Sequence, residues 1–103
     1  MMKKFVAEII GTFIFLSVII FVVNGSKGDN MNWFKIGLAL GIMILLFANV
    51  SGAHFNPAVS FMFYMNNQLP INELGIYVFG QIIGAILALT LFTYYKPEIT
   101  KKN

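Results

Sequence analysis

Phe5 to Val23 is an apolar run interrupted only by Glu8, Thr12 and Ser17. At about 1.5 Å per residue, a helix of this length crosses the roughly 30 Å hydrocarbon core of a bilayer. It is longer than the apolar stretch of a cleaved signal peptide, and no small-residue cleavage site follows it. Two more runs, Ile36 to Val50 and Leu74 to Tyr95, have the same character. Composition agrees: 58% of the 103 residues are hydrophobic and 11% are charged, where a soluble domain carries about 25% charged residues. Too little polar surface exists to wrap a water-soluble globule. The same numbers exclude a disordered chain, and the absence of cysteine excludes a disulfide-stapled miniprotein. The chain reads as an integral, multi-pass, all-α membrane protein with spans over 5–23, 36–50 and 74–95.

The charges fall outside the runs. The seven basic residues are all lysine: Lys3, Lys4, Lys27, Lys35, Lys96, Lys101 and Lys102. Beside Trp33, Phe34, Tyr94 and Tyr95 they read as interfacial anchors, with Pro97 as a helix stop and a polar tail from Glu98 to Asn103. No basic stripe interleaved with aromatics is present to bind nucleic acid. Asn24 to Asn30 breaks the first helix and belongs in water. Gly37 and Gly41 on the second span, and Gly80, Gly84 and Ala88 on the third, have the small-residue spacing that lets helix backbones approach closely.

The segment between the second and third spans is the informative one. Pro57 to Met65 is apolar and helix-compatible, but at about 14 Å it reaches only about half-way through the hydrocarbon. It is too apolar for an aqueous loop, so a re-entrant half-helix over 57–65 is predicted, with Asn66 to Pro70 returning the chain to the surface. Asn56-Pro57 is a strong helix start, an asparagine cap followed by a proline suited to the first turn. Ser51 to Asn56 precedes it as extended backbone, tolerated at membrane depth only against protein or a watery cavity. The half-helix would aim its free N–H groups and positive dipole end at the bilayer centre. That arrangement favours acceptors such as water oxygen and repels cations, pointing to a pore or a binding site with Asn56 as a donor at its middle.

These residues also carry a resemblance. Ser51-Gly-Ala-His-Phe-Asn-Pro-Ala-Val-Ser60 resembles the first Asn-Pro-Ala loop of the aquaporin, or major intrinsic protein, family. Ala7-Glu-Ile-Ile-Gly-Thr-Phe13 is similar to that family's first-helix motif, and Tyr77-x-x-Gly80-Gln81-x-x-Gly84-Ala85 to its third-helix motif. The resemblance covers essentially the whole chain, 1–103, as a single domain, but only the first half of the family's fold. The second helix trio and the second Asn-Pro-Ala loop with its arginine are absent from this sequence.

The resemblance implies roles. Asn56, Pro57 and Ala58 form the pore motif. The carbonyls of Gly52, Ala53 and His54 line the pore, and His54 packs behind the loop. Glu8, Tyr77 and Gln81 support the loop, and Gly11, Gly37, Gly41, Gly80 and Gly84 serve helix packing. Carried over by position, the narrow filter falls on Ile36, Ile44, Ala53 and Val59. That set is apolar and lacks a fixed positive charge. An ordinary reading stands beside some of these: Glu8, near the helix end, could snorkel to the interface. A lone histidine without cysteine or a second histidine makes no metal site, and neither a metal nor a cofactor is expected. With no nucleophile–base pair and four dispersed acids, the chain is not an enzyme.

One half-helix reaches only the midplane, so one chain lines only half a passage. The expected assembly is a channel for water or small neutral solutes (glycerol-like, or ammonia), made from two copies inserted in opposite directions, with four such pairs as a higher assembly. The alternatives are a heteromeric channel with a separate arginine-bearing half, and a non-conducting remnant or assembly subunit. On the family topology, Lys3 and Lys4 share one side of the membrane and the other five lysines the opposite side. That bias disfavours a cytoplasmic N-terminus and leaves orientation weakly determined.

Overall fold

A computed structural model describes residues 1–101, with side chains through Lys96. It contains four helices and, among the described residues, no strand: α1 (Met2–Gly25), α2 (Asn32–Ser51), α3 (Pro57–Met65) and α4 (Ile71–Lys101). Helices α1, α2 and α4 are long and apolar enough to cross a membrane. The short apolar segment is helical over Pro57–Met65 and stops there.

Each helix ends for a local reason. Gly25 and Ser26 close α1, with the Ser26 N–H donating to the Val22 carbonyl at 3.0 Å. The following turn is held by polar contacts: Asp29 accepts from the Met31 N–H at 2.8 Å and from Lys35 Nζ at 2.7 Å. The Lys35 bond, then the Met31 N–H, hold the Asp29 carboxyl below its ordinary pKa. Gly52 caps α2 in the left-handed region, at φ +86°, which glycine reaches without steric cost. Asn56 caps α3 by accepting from the Ala58 N–H at 2.8 Å, and Pro57 occupies the first turn. Glu73 lies in the first turn of α4, where the helix dipole favours an anion, and Lys4 pairs with it at 2.9 Å.

Helix α1 is the middle of the fold. It packs on α4 along one side and α2 on the other, while α3 rests on α4 alone and does not pack on α2. The α1–α4 seam is backbone-close. A Cβ on Gly84 would lie 2.8 Å from the Ile9 carbonyl oxygen and 3.0 Å from the Phe13 nitrogen, and one on Gly80 would meet Phe5 at 3.3 Å. Phe5 stacks on Phe79, and Phe21 meets Phe92 edge-on.

Three expectations need correction. Gly37 and Gly41 pack on nothing within this chain, and a Cβ at either would have no neighbour within 4 Å. The reason is that α2 presents the stripe Leu40, Met43 and Phe47 to the interior instead. Gly11 does serve packing, but what it admits is the Phe55 ring from the loop rather than a helix. Pro97 does not stop α4, which continues to Lys101. Proline deletes one intrahelical hydrogen bond, and its φ remains compatible with a helix. Lys102 and Asn103 of the tail lie outside the described residues.

Candidate functional site

The site is built around one carboxylate. Glu8 is fully buried between α1 and α4, a costly position for an acid unless every acceptor site is filled. Four donors fill them. Oε2 accepts from Ser51 Oγ at 2.6 Å and from the His54 N–H at 3.2 Å. Oε1 accepts from the Phe55 N–H at 2.9 Å and from Gln81 Nε2 at 2.9 Å. A carboxylate has about four lone-pair sites, so its capacity is used and snorkelling is excluded. The donors come from the end of α2, the loop and α4, so a single side chain ties three parts of the chain together.

This explains how the loop holds its shape. Ala53 and Phe55 both have φ of +54°, a conformation that costs a non-glycine residue about 1–3 kcal/mol. Glu8 offsets that cost by accepting the N–H groups of His54 and Phe55. Phe55 then drops its ring into the gap left by Gly11 and packs edge-on to Phe47. With Met43 and Ala53 it forms a buried cluster, flanked by Ile14, Leu40 and Phe47. Ser51 completes the turn: its Oγ accepts from the Ala53 N–H at 3.1 Å, and its carbonyl accepts from the Tyr77 hydroxyl.

The other side of the loop is left without hydrogen-bond partners among the described residues. Asn56, Pro57 and Ala58 are exposed. Asn56 uses Oδ1 for its cap, while Nδ2 meets no partner among the described residues. The carbonyls of Gly52, Ala53 and His54 likewise accept no hydrogen bond among the described residues. The chain thus presents one free amide donor and three free carbonyl acceptors along one stretch of backbone, next to the N-terminal end of α3.

His54 is held edge and face. Its Nδ1 lies 2.8 Å from Ser60 Oγ, Phe63 stacks on the ring at 4.7 Å, and Tyr77 lies tilted against it at 4.7 Å. Gln81 Nε2 reaches Ser60 Oγ at 2.9 Å as well as Glu8. Glu8, Tyr77, Gln81 and His54 therefore form one network.

Ser51 and Ser60 are the members that sequence reasoning left without a role. The signal was present: both are hydroxyls in apolar surroundings at membrane depth, where a polar group needs a partner. The four filter positions are not gathered by one chain. Ala53 is buried in the core cluster, Ile36 and Val59 are half-buried, and Ile44, one residue past the buried Met43, is 41% exposed.

The sequence pattern of the family described as Major intrinsic protein matches residues 1–103. A probable glycerol uptake facilitator protein of Thermotoga maritima is 34% identical, with 94% of this chain aligned to 46% of that protein. A glycerol uptake facilitator protein-like 6 from Lactiplantibacillus plantarum is 40% identical over 84% of this chain and 41% of its own length. A probable aquaporin AqpM of Archaeoglobus fulgidus is 32% identical over 87% of this chain and 46% of its own. The chain thus spans less than half the length of these relatives. No solved structure matches it.

Proposed function

The chain belongs to the major intrinsic protein family, and on that premise we propose that it forms a membrane channel for water and small neutral solutes, assembled from two copies inserted in opposite directions. The observation that carries this reading is the unpartnered polar edge of the loop. Asn56 Nδ2 and the carbonyls of Gly52, Ala53 and His54 lack partners among the described residues, and α2 does not pack over α3. Backbone of this kind at membrane depth must line water or be covered by protein. An inverted copy does both. Its half-helix approaches from the opposite face, two Asn56 side chains meet at the midplane, and the two carbonyl rows continue into one path. The contact is isologous, so one sequence supplies both halves. Four such pairs form the higher assembly.

Ion exclusion comes from the opposed α3 dipoles and the Asn56 donors, which favour neutral acceptors over cations. Selectivity comes from the mouths. Ile36, Ile44, Ala53 and Val59 make an apolar constriction with no fixed charge, which passes glycerol-like polyols or ammonia at least as readily as water. Names among the relatives include both glycerol facilitators and aquaporins.

Purified chain alone, reconstituted in liposomes, tests the assembly. Water or glycerol flux from the single polypeptide is expected by stopped-flow light scattering. Flux that arises only when a second, arginine-bearing half is added replaces the homodimer with a heteromer. Tags on both termini should be reached from both sides of the membrane, and one orientation in a conducting preparation refutes the inverted pair. Fast water flux without glycerol or urea permeation overturns the selectivity reading.

A further inference from the structure

Gln81 fixes which face of α4 the half-helix occupies, through its bond to Ser60 at 2.9 Å. Ala85 and Ala88 follow on that same face, four and seven positions further along. They floor a surface groove of about 330 Å³, walled on the α1 side by Leu16, Ile20 and Val23. The loop meets α1 earlier, at Glu8 and Gly11. The groove therefore continues beyond α3 along the α1–α4 pair, in the half of the membrane that this chain's own half-helix does not enter.

Length and chemistry identify what fits it. From Leu16 to Asn24 the groove runs about 12 Å, and the nine residues of α3 make about 14 Å. The walls are apolar, and Phe61, Met62 and Met65 form an apolar face of α3 that is exposed in this chain. The far end of the groove is polar. Asn24 Nδ2 donates back to the Ile20 carbonyl at 2.8 Å, which leaves Oδ1 to accept. Just beyond it, the exposed Lys27 pairs with no acid among the described residues. Helix α3 has the complementary end. Its last turn carries no basic residue, so the negative pole of its dipole favours a cation from elsewhere. In the turn that follows, Gln68 accepts from Asn66 through Oε1 and keeps Nε2 to donate.

We propose that the groove seats the half-helix of the inverted copy, its apolar face against the walls and its carbonyl end against Asn24 and Lys27. This rests on the channel reading above and adds where the two copies grip each other. A two-fold axis in the membrane plane, at the level of Asn56, carries α3 from one half of the membrane into the other, where the groove lies. The contact then occurs twice, once in each copy. The groove is on the side of the α1–α4 pair that carries the loop. An acyl chain there leaves the free Asn56 amide and the carbonyl row unsatisfied, and a second copy does not.

The chain has no cysteine, so introduced pairs report contacts without background. Ala85→Cys or Leu89→Cys chains are co-expressed with differently tagged Phe61→Cys, Met62→Cys or Met65→Cys chains and oxidised in the membrane. A disulfide-linked dimer holding both tags is expected, several-fold above the yield of either variant alone. Asn56→Cys chains report separately on the inverted pair by linking to themselves. Self-linking there without any mixed dimer overturns the groove assignment and leaves the inverted pair standing, while absence of both links refutes the two together. Labelling of residues 85–89 by a phosphatidylcholine with a photoreactive acyl chain puts lipid in the groove and overturns the assignment. Lys27→Glu, beyond the end of α1, should lower the dimer fraction several-fold at low salt and less at high salt. Lys27→Arg should keep it, and Lys3→Glu, the same charge change at the opposite end of α1, should leave it unchanged. A dimer fraction unmoved by Lys27→Glu overturns the charge match.

Discussion

Two helices of this protein carry the same small-residue spacing and use it in opposite ways. On α4, Gly80 and Gly84 bring the backbone of α1 so close that an added Cβ at Gly84 would strike main-chain atoms at 2.8 and 3.0 Å. On α2, Gly37 and Gly41 face open space. Spacing therefore permits close approach without choosing a partner. What distinguishes α4 is chemistry across the seam, where Gln81, which lies between these two glycines in the sequence, bonds to Glu8. A lipid environment gives apolar surfaces little reason to prefer each other over acyl chains. The buried hydrogen bonds select the α1–α4 pairing, and the glycines let it close.

The largest effect should come from removing the selecting group. Glu8→Ala orphans the His54 and Phe55 N–H groups, the Ser51 hydroxyl and one Gln81 amide proton together. At about 1–3 kcal/mol for each unsatisfied buried group, partly relieved by entering water, a net loss of about 3–5 kcal/mol is expected. Unfolding in mixed micelles measures it. Stability within 1 kcal/mol of the parent, on the order of the error in such assays, would make the glycines sufficient by themselves and break the comparison.

Next comes Gly84→Ala. The new methyl meets backbone on α1 rather than a flexible side-chain end, so the helices must shift apart, at about 1–3 kcal/mol. The shift also lengthens the Gln81–Glu8 bond, so the two substitutions should be less than additive in a double-mutant cycle. Full additivity would separate packing from the network.

Much of this was legible in the chain, and the rest was hidden for physical reasons. The α3 bounds follow from a cap, a proline and an apolar length too short to cross, all of which are local. The loop-supporting roles of Glu8, Tyr77 and Gln81 came from motif resemblance; in the structure Glu8 accepts from the loop N–H groups of His54 and Phe55, Tyr77 donates to the Ser51 carbonyl, and Gln81 reaches Glu8 and Ser60. Ser60 escaped because its partners lie at His54 and Gln81, the second 21 positions away, and a small hydroxyl in a helix has many uninteresting uses. Gly37 and Gly41 show no use within the chain, because their spacing permits a close neighbour without saying which helix supplies it. Pro97 was misread because a proline near a helix end was given the force of a stop, while the helix tolerates one missing hydrogen bond.

A smaller effect should follow from Asn56→Ala, which bears on the open side of the molecule. Loss of the Oδ1 cap on the Ala58 N–H costs about 0.5–2 kcal/mol, with membrane insertion retained. Flux should fall by much more than that change in stability accounts for, because Nδ2, which has no partner among the described residues, is left free to donate at the end of the half-helix. Unchanged flux at full expression would remove this loop from the pore.

The smallest effect on the fold, and the sharpest test of the comparison, is Gly41→Ala. Outside the glycine's own stretch of helix, no atom of the described residues lies within 4 Å of the added methyl, and alanine is the better helix former by about 1 kcal/mol. The unfolding midpoint of the isolated chain should therefore stay level or rise slightly, the reverse of Gly84→Ala. Association is a separate matter. In an assembly of inverted pairs, the open face of α2 is where a neighbouring helix can come as near as α1 comes to Gly84. There the same methyl holds the neighbour away. Sedimentation or cross-linking in detergent should show weaker association for Gly41→Ala, with the fold of each chain intact. Equal association for parent and variant would place Gly37 and Gly41 against lipid, and of the two stripes only that of α4 would then bring helices together.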